Sequence, residues 1–130
     1  MTEILQVALS ALRAEEKRLQ TSAHNVANLR SEGLREGAEE GGGFQAQVVR
    51  QSSLPGGGVV ANLAPRNPAS VLIYDPSSGD ADARGFVARP NVNLAEEFVT
   101  QITARRAYEA SLKLIAEEDK RLRYLNDILT

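Results

Sequence analysis

Leu5, Leu12, Leu19 and Val26 fall seven residues apart near the start of the chain. Leu94, Tyr108, Ile115, Leu122 and Leu129 keep the same spacing at its end, with Gln101 the one polar residue on that line. A strict seven-residue repeat holds an apolar stripe on one side of a helix and favours left-handed supercoiling against a partner helix. The spacing predicts one helix over residues 3–29 and a second from Leu94 almost to Thr130, each in want of a helical partner. Thr2 is placed to cap the first helix and Glu3 to meet its dipole, while Asn93 with Glu96 three residues later opens the second as a variant capping box. Glu15 and Ser22 occupy slots where a strong coiled coil carries a second apolar residue. The front seam is therefore thin, and such a helix is marginal until neighbours crowd it.

Between the helices the pattern changes. Ser31-Glu32-Gly33 reads as a helix stop and turn, with Gly33 free to take a left-handed conformation. Gly37 to Gly43 holds too little apolar surface to order itself and reads as a flexible loop. Phe44 to Gln51 alternates as a strand does, Pro55-Gly56-Gly57-Gly58 supplies a turn, and Val59-Val60-Ala61 returns as the second arm of a hairpin. A second hairpin pairs residues 71–74 with 85–88 across the turn residues Asp75-Pro76-Ser77-Ser78-Gly79-Asp80. The fold class is mainly α with a small β insertion: long N- and C-terminal helices pair as a coiled coil, with short β-hairpins between them. Residues 1–36 and 91–130 form an inner helical layer, and 37–90 a Gly/Pro-rich loop and small β region.

A chain of 130 residues has room for one domain, and a β module this small depends on neighbours for stability. The net charge is -2, with both signs spread over both halves, which argues against nucleic acid or a membrane surface as the main partner. Without cysteine there are no disulfides or thiolate metal sites. Met1-Thr2-Glu3 lacks the positive start of a secretory signal, and no apolar run is long enough to span a membrane. On the second helix, Glu109 with Lys113, Glu117 with Arg121 and Asp119 with Arg123 are spaced to pair along a wet outer face.

Catalysis finds no footing. His24 is the single histidine, and Glu117-Glu118-Asp119 reads as a solvated helix face. The glycine runs lack the Lys-Ser or Lys-Thr of a phosphate loop, and Arg105-Arg106 lies beside Glu109 as an intrahelical or interface pair. No catalytic, cofactor or metal site and no small-molecule substrate is expected.

Asn25-Val26-Ala27-Asn28, preceded by Ser10-Ala11-Leu12 and followed by Glu32-Gly33-Leu34, resembles the N-terminal signature of bacterial flagellar rod and hook proteins. Pro90-Asn91-Val92-Asn93 leading to Arg106-Ala107-Tyr108-Glu109-Ala110 resembles the C-terminal signature of the same family. The short middle, with Tyr74-Asp75-Pro76 and Gly85-Phe86-Val87, is most similar to the proximal rod members. Ala11 where glycine is usual, Leu29-Arg30-Ser31 and Leu34 depart from the common pattern. The resemblance implies a structural subunit of the flagellar basal body, exported through the flagellar type III apparatus without a cleaved signal and built into the rod crossing the periplasm. Its implied partners are other rod proteins, copies of itself and the export apparatus. Leu5, Leu12, Leu19, Val26, Leu94, Tyr108, Ile115, Leu122 and Leu129 would then pack helices. Asn25, Asn28 and Gly33 would shape the exit from the first helix, and Asn91, Val92, Arg106, Tyr108 and Glu109 belong to the family motif. The competing reading is a soluble coiled-coil adaptor forming closed homo-oligomers, or a divergent rod paralogue.

Overall fold

Thr2 accepts a hydrogen bond at Oγ1 from the backbone N–H of Leu5, at 3.4 Å, and so caps helix α1 (Glu3–Ala27). A computed structural model describes residues 2–33 and 43–129; Leu34 and most of the 37–43 loop lie outside the described residues. After α1 come strands β1 (Gln47–Ser53), β2 (Val59–Pro65), β3 (Ser70–Tyr74) and β4 (Phe86–Pro90), then helix α2 (Leu94–Leu129). The expected architecture stands: two long helices pack together, with two small antiparallel hairpins between them.

Helix α1 stops earlier than the periodicity predicts, because Asn28 caps it. The Asn28 N–H and Nδ2 both donate to the His24 carbonyl, at 3.1 and 2.9 Å, and its Oδ1 accepts from Ser31 Oγ. Gly33 is not left-handed, contrary to expectation; positive φ occurs at Gly56, Gly57, Gly58 and Gly85. Gly33 instead lies buried in a bridge to β4, donating its N–H to the Ala88 carbonyl, with Gly43 packed so closely that a Cβ there would lie 2.7 Å from the Gly33 Cα.

In the first hairpin Gln47 to Ser53 pair with Pro65 to Val59, and the turn between them uses three consecutive left-handed glycines, Gly56, Gly57 and Gly58. Strand β1 begins three residues later than Phe44 because Ala46 turns its backbone to other partners, Ala69 and Arg66. The second hairpin sets Tyr74 opposite Phe86, their rings edge to face at 5.4 Å.

Asn93 caps α2 by accepting from the N–H groups of Ala95 and Glu96, but the Glu96 carboxylate turns to Arg66 at 2.9 Å. The outer ion pairs also differ from the expected spacing. Asp119 pairs with Arg123, whereas Glu109 takes Arg105, Glu117 takes Lys120 and Arg121 takes Glu118. The last exchange follows from burial: Glu118 lies inside, and Arg121 reaches it with two bonds of 2.7 Å.

The core is small and made largely of alanine. Ala8, Leu12, Ala14, Ala46, Ala61, Val87 and Ala104 are its buried apolar residues among those described. Helix α1 lies between α2 and the first hairpin, gripped there by Lys17 Nζ donating to the Ala61 carbonyl and by the Val59 N–H donating to Ser10 Oγ. The two helices run antiparallel, since Ser22 meets Gln101 near one end and Thr2 meets Glu118 at the other.

Candidate assembly interface

The inward positions of α2 are Glu97, Gln101, Ala104, Tyr108, Ser111, Ile115 and Glu118, stepping alternately by four and three as a heptad seam does. Opposite them on α1 lie Leu5, Ala8, Leu12, Glu15, Leu19, Ser22 and Val26, stepping the same way. Tyr108 and Ile115 are half-buried in this seam, as are Leu5, Leu19 and Val26, while Leu12 is buried. Gln101, the break in the apolar line, donates from Nε2 to Ser22 Oγ at 3.1 Å, so the polar gap in one helix answers the polar gap in the other.

One end of the seam is a buried polar junction. Asn25, 1% exposed, donates through Nδ2 to the Gln47 carbonyl at 2.8 Å and to Glu97 Oε1 at 2.9 Å, while its Oδ1 accepts from the Gln47 N–H at 3.0 Å. Glu97, 3% exposed, accepts a further bond at Oε1 from Arg66 Nη2 at 3.2 Å, and its backbone carbonyl accepts from Ser22 Oγ. A single carboxylate thus ties α1, α2 and the end of the first hairpin together. A buried charge needs such partners, because taking it out of water costs several kcal/mol, to order of magnitude.

At the far end Glu118, 4% exposed, sits beside the N-terminus of α1. The Arg121 fork holds its carboxyl below the usual glutamate range, helped by a hydrogen bond with Thr2 and opposed by burial; the same pairing raises Arg121. A third cluster fastens the second hairpin. Glu32 accepts from Ser78 Oγ at 2.6 Å and from the Arg89 guanidinium, which also reaches Asp75 at 3.4 Å. The Ser78 bond and then Arg89 lower Glu32, and the Ser77 bonds lower Asp75.

Beyond Glu118 the seam continues with no helix facing it among the described residues. Helix α2 has 36 residues and α1 has 25, lengths of about 54 and 37 Å at the usual rise. The surplus projects past the capped start of α1 and carries Leu122, Leu125 and Leu129 on the seam face, 37%, 41% and 84% exposed. At the other end of α2, Leu94, Phe98, Val99 and Ile102 are also exposed.

The motif residues divide by role. Asn25 is a buried clamp, Asn28 the helix cap and Gly33 a close-packed bridge. Asn91 bonds through its side chain to the Pro68 carbonyl and through its N–H to Ala69, and the half-buried Val92 donates to the Pro90 carbonyl, so both shape the approach to α2. Arg106 and Glu109 are exposed on its outer side. The sequence reading missed Glu97, Arg66 and the inward-facing Glu118, which it placed on a solvated face. The signal was available: Glu97, Ala104, Ser111 and Glu118 form a second line at seven-residue spacing, overlooked because it is not apolar.

Among the described residues no cluster of His, Cys, Asp or Glu could hold a metal ion, and no helix is long and apolar enough to cross a membrane. The family model described as the flagellar basal body rod FlgEFG protein C-terminal matches residues 83–128, a span that takes in β4 and nearly all of α2. Curated relatives match most of the chain. The flagellar basal-body rod proteins FlgC of Salmonella typhimurium and of Escherichia coli O6:H1 are each 36% identical over 121 residues, covering 88% of this chain and 87% of theirs. The FlgC protein of Aquifex aeolicus is 52% identical over 46 residues, or 35% of this chain and 34% of its own. At 36% identity over 88% of its length, the chain belongs to the FlgC family of flagellar basal-body rod proteins.

Proposed function

We propose that this chain is a structural subunit of the flagellar rod that joins its neighbours through its terminal helices and does no catalysis. The observation carrying this reading is the match to FlgC proteins over 88% of the chain, together with a helix pair whose seam runs on past its internal partner. Its partners are other rod proteins and copies of itself, and its place is the rod in the periplasm. It reaches that place through the flagellar export apparatus, and its position in the rod is proximal.

Residues 1–36 and 91–130 supply the inner helical layer, with 37–90 outside it. Leu5, Leu12, Leu19, Val26, Tyr108 and Ile115 hold the subunit's own two helices together, while Leu94, Leu122 and Leu129, exposed in the single chain, pack against neighbours. Heterologous contacts that do not close build an open helical array, so many weak contacts per subunit suffice for a stiff shaft.

The test is deletion of the gene in its host, scored by swimming and by electron microscopy of purified basal bodies. Loss of swimming with basal bodies that stop before the distal rod is expected. Intact rods and normal swimming would overturn the reading and favour a paralogue or a closed adaptor.

A further inference from the structure

The apolar seam alone does not decide where α1 stops along α2. In the observed register, set by Ser22 lying between Glu97 and Gln101 and by Thr2 at Glu118, Leu5 is about level with Ile115, Leu12 with Tyr108, Leu19 with Gln101 and Val26 with Leu94. Sliding α1 by seven residues toward the C-terminus of α2 sets Leu5 at Leu122, Leu12 at Ile115, Leu19 at Tyr108 and Val26 at Gln101. Each register makes three apolar pairs and meets Gln101 once. The surplus length of α2 leaves room for the slide, and the slide would cover leucines that are now exposed.

The buried acids break this tie. Glu97 and Glu118 lie on one face of α2, three heptads apart, and α1 fits between them. In the slid register Asn25 leaves Glu97 for Ala104, Arg66 loses its hold on Glu97, and Glu118 passes from the cap of α1 to lie under Leu9, away from Thr2. Charge-assisted hydrogen bonds are lost at one end and a carboxylate is driven beneath an apolar turn at the other. A polar residue placed in a seam fixes register in this way, at some expense of stability.

We propose that Glu97 and Glu118 act as a register gauge for α1, holding it one heptad short of the register that would cover Leu122. The gauge keeps Leu122 and Leu125 available, together with Leu129, to the adjoining subunit of the rod, whereas the slide would cover the first two; that consequence, unlike the register itself, rests on the rod reading.

The chain has no cysteine, so engineered pairs report register cleanly. Ala8→Cys with Ile115→Cys reports the observed register, and Ala8→Cys with Leu122→Cys the slid one. Oxidised in dilute solution, the otherwise unaltered chain is expected to cross-link the first pair about tenfold more than the second, what one charge-assisted hydrogen bond is worth. With Glu97→Leu and Glu118→Leu, helix content by circular dichroism persists and that preference collapses; Glu97→Gln with Glu118→Gln retains part of it. Should the double leucine chain lose its helices, Glu97→Leu alone serves, with the same expectation. An unchanged preference in the leucine chain, or none in the parent, overturns the gauge. In the host, a leucine chain that has slipped but still supports swimming overturns the consequence for the adjoining subunit and leaves the register result intact.

Discussion

Asn25 shows how much one side chain can settle when it is buried with every polar atom in use. Its amide mimics a strand neighbour for Gln47, accepting from the N–H and donating to the carbonyl, and the second amide hydrogen goes to Glu97. Asn25→Ala leaves the Gln47 backbone and the Glu97 carboxylate short of partners in a water-poor place, and should destabilise the chain by about 1–3 kcal/mol. Asn28→Ala, which removes the exposed capping bond to His24 and the acceptor of Ser31 Oγ but leaves no buried group unpaired, should cost roughly 1 kcal/mol. Urea unfolding of the two variants checks the order, and equal losses would contradict the clamp. Two turn glycines offer a second contrast. Gly56 and Gly58 both have left-handed φ, but a Cβ on Gly56 meets nothing, whereas one on Gly58 falls 2.6 Å from Ser10 Oγ, the acceptor for the Val59 N–H. Gly56→Ala should cost about 1–2 kcal/mol from backbone strain alone, and Gly58→Ala more, because it also pushes the hairpin off α1; thermal melts compare them.

At the scale of elements, the free end of α2 makes the sharpest prediction. Replacing Leu125 and Leu129 with Asp changes exposed positions that are not among the buried core residues, so the unfolding midpoint of the purified subunit should move little, within about 0.5 kcal/mol per site. Swimming should nevertheless fail, because the stripe that a neighbour covers then carries two charges. A large loss of subunit stability would show instead that the stripe is used within the chain. These helices were legible in the sequence because period seven is a local signal, and so was each hairpin, marked by Gly and Pro at its turn. The direction of the buried acids was not. Glu118 stands between Glu117 and Asp119, both exposed, and nothing local separates the three; Thr2 and Arg121 decide, and Thr2 is brought there only by the antiparallel register. Arg66 was likewise invisible as a partner of Glu97, since their contact joins the end of the first hairpin to α2. The start of β1 moved for the same reason, through Ala46 bonding to Ala69, whereas the end of α1 moved through a local bond, Asn28 closing on His24.

For the molecule as a whole, so small an apolar core leaves polar junctions with much of the work of holding the elements together, and that makes the fold sensitive to acid. Glu118 joins α2 to the start of α1, Glu32 joins the exit of α1 to the second hairpin, and Asp75 shares Arg89 with Glu32. All three carboxyls are held below their ordinary values: Glu118 by Arg121 and then Thr2, Glu32 by Ser78 and then Arg89, Asp75 by Ser77. A carboxyl depressed in the folded state adds stability that is fully present above its unfolded value, about 4.3 for glutamate and about 3.9 for aspartate. That stability is lost as pH falls through the lower folded values, because the unfolded chain then binds the more protons. The melting midpoint should therefore stay nearly level from neutral pH down to the unfolded carboxylate range and fall below it. Glu32→Gln with Glu118→Gln should start lower at neutral pH and fall less steeply in acid, so that the two curves converge. Parallel curves would assign the acid loss to other carboxylates. The same melts bear on assembly, since acid should loosen the second hairpin and the Thr2 end of α1 while the Asn25 amide still holds Gln47, a bond no proton in this range removes.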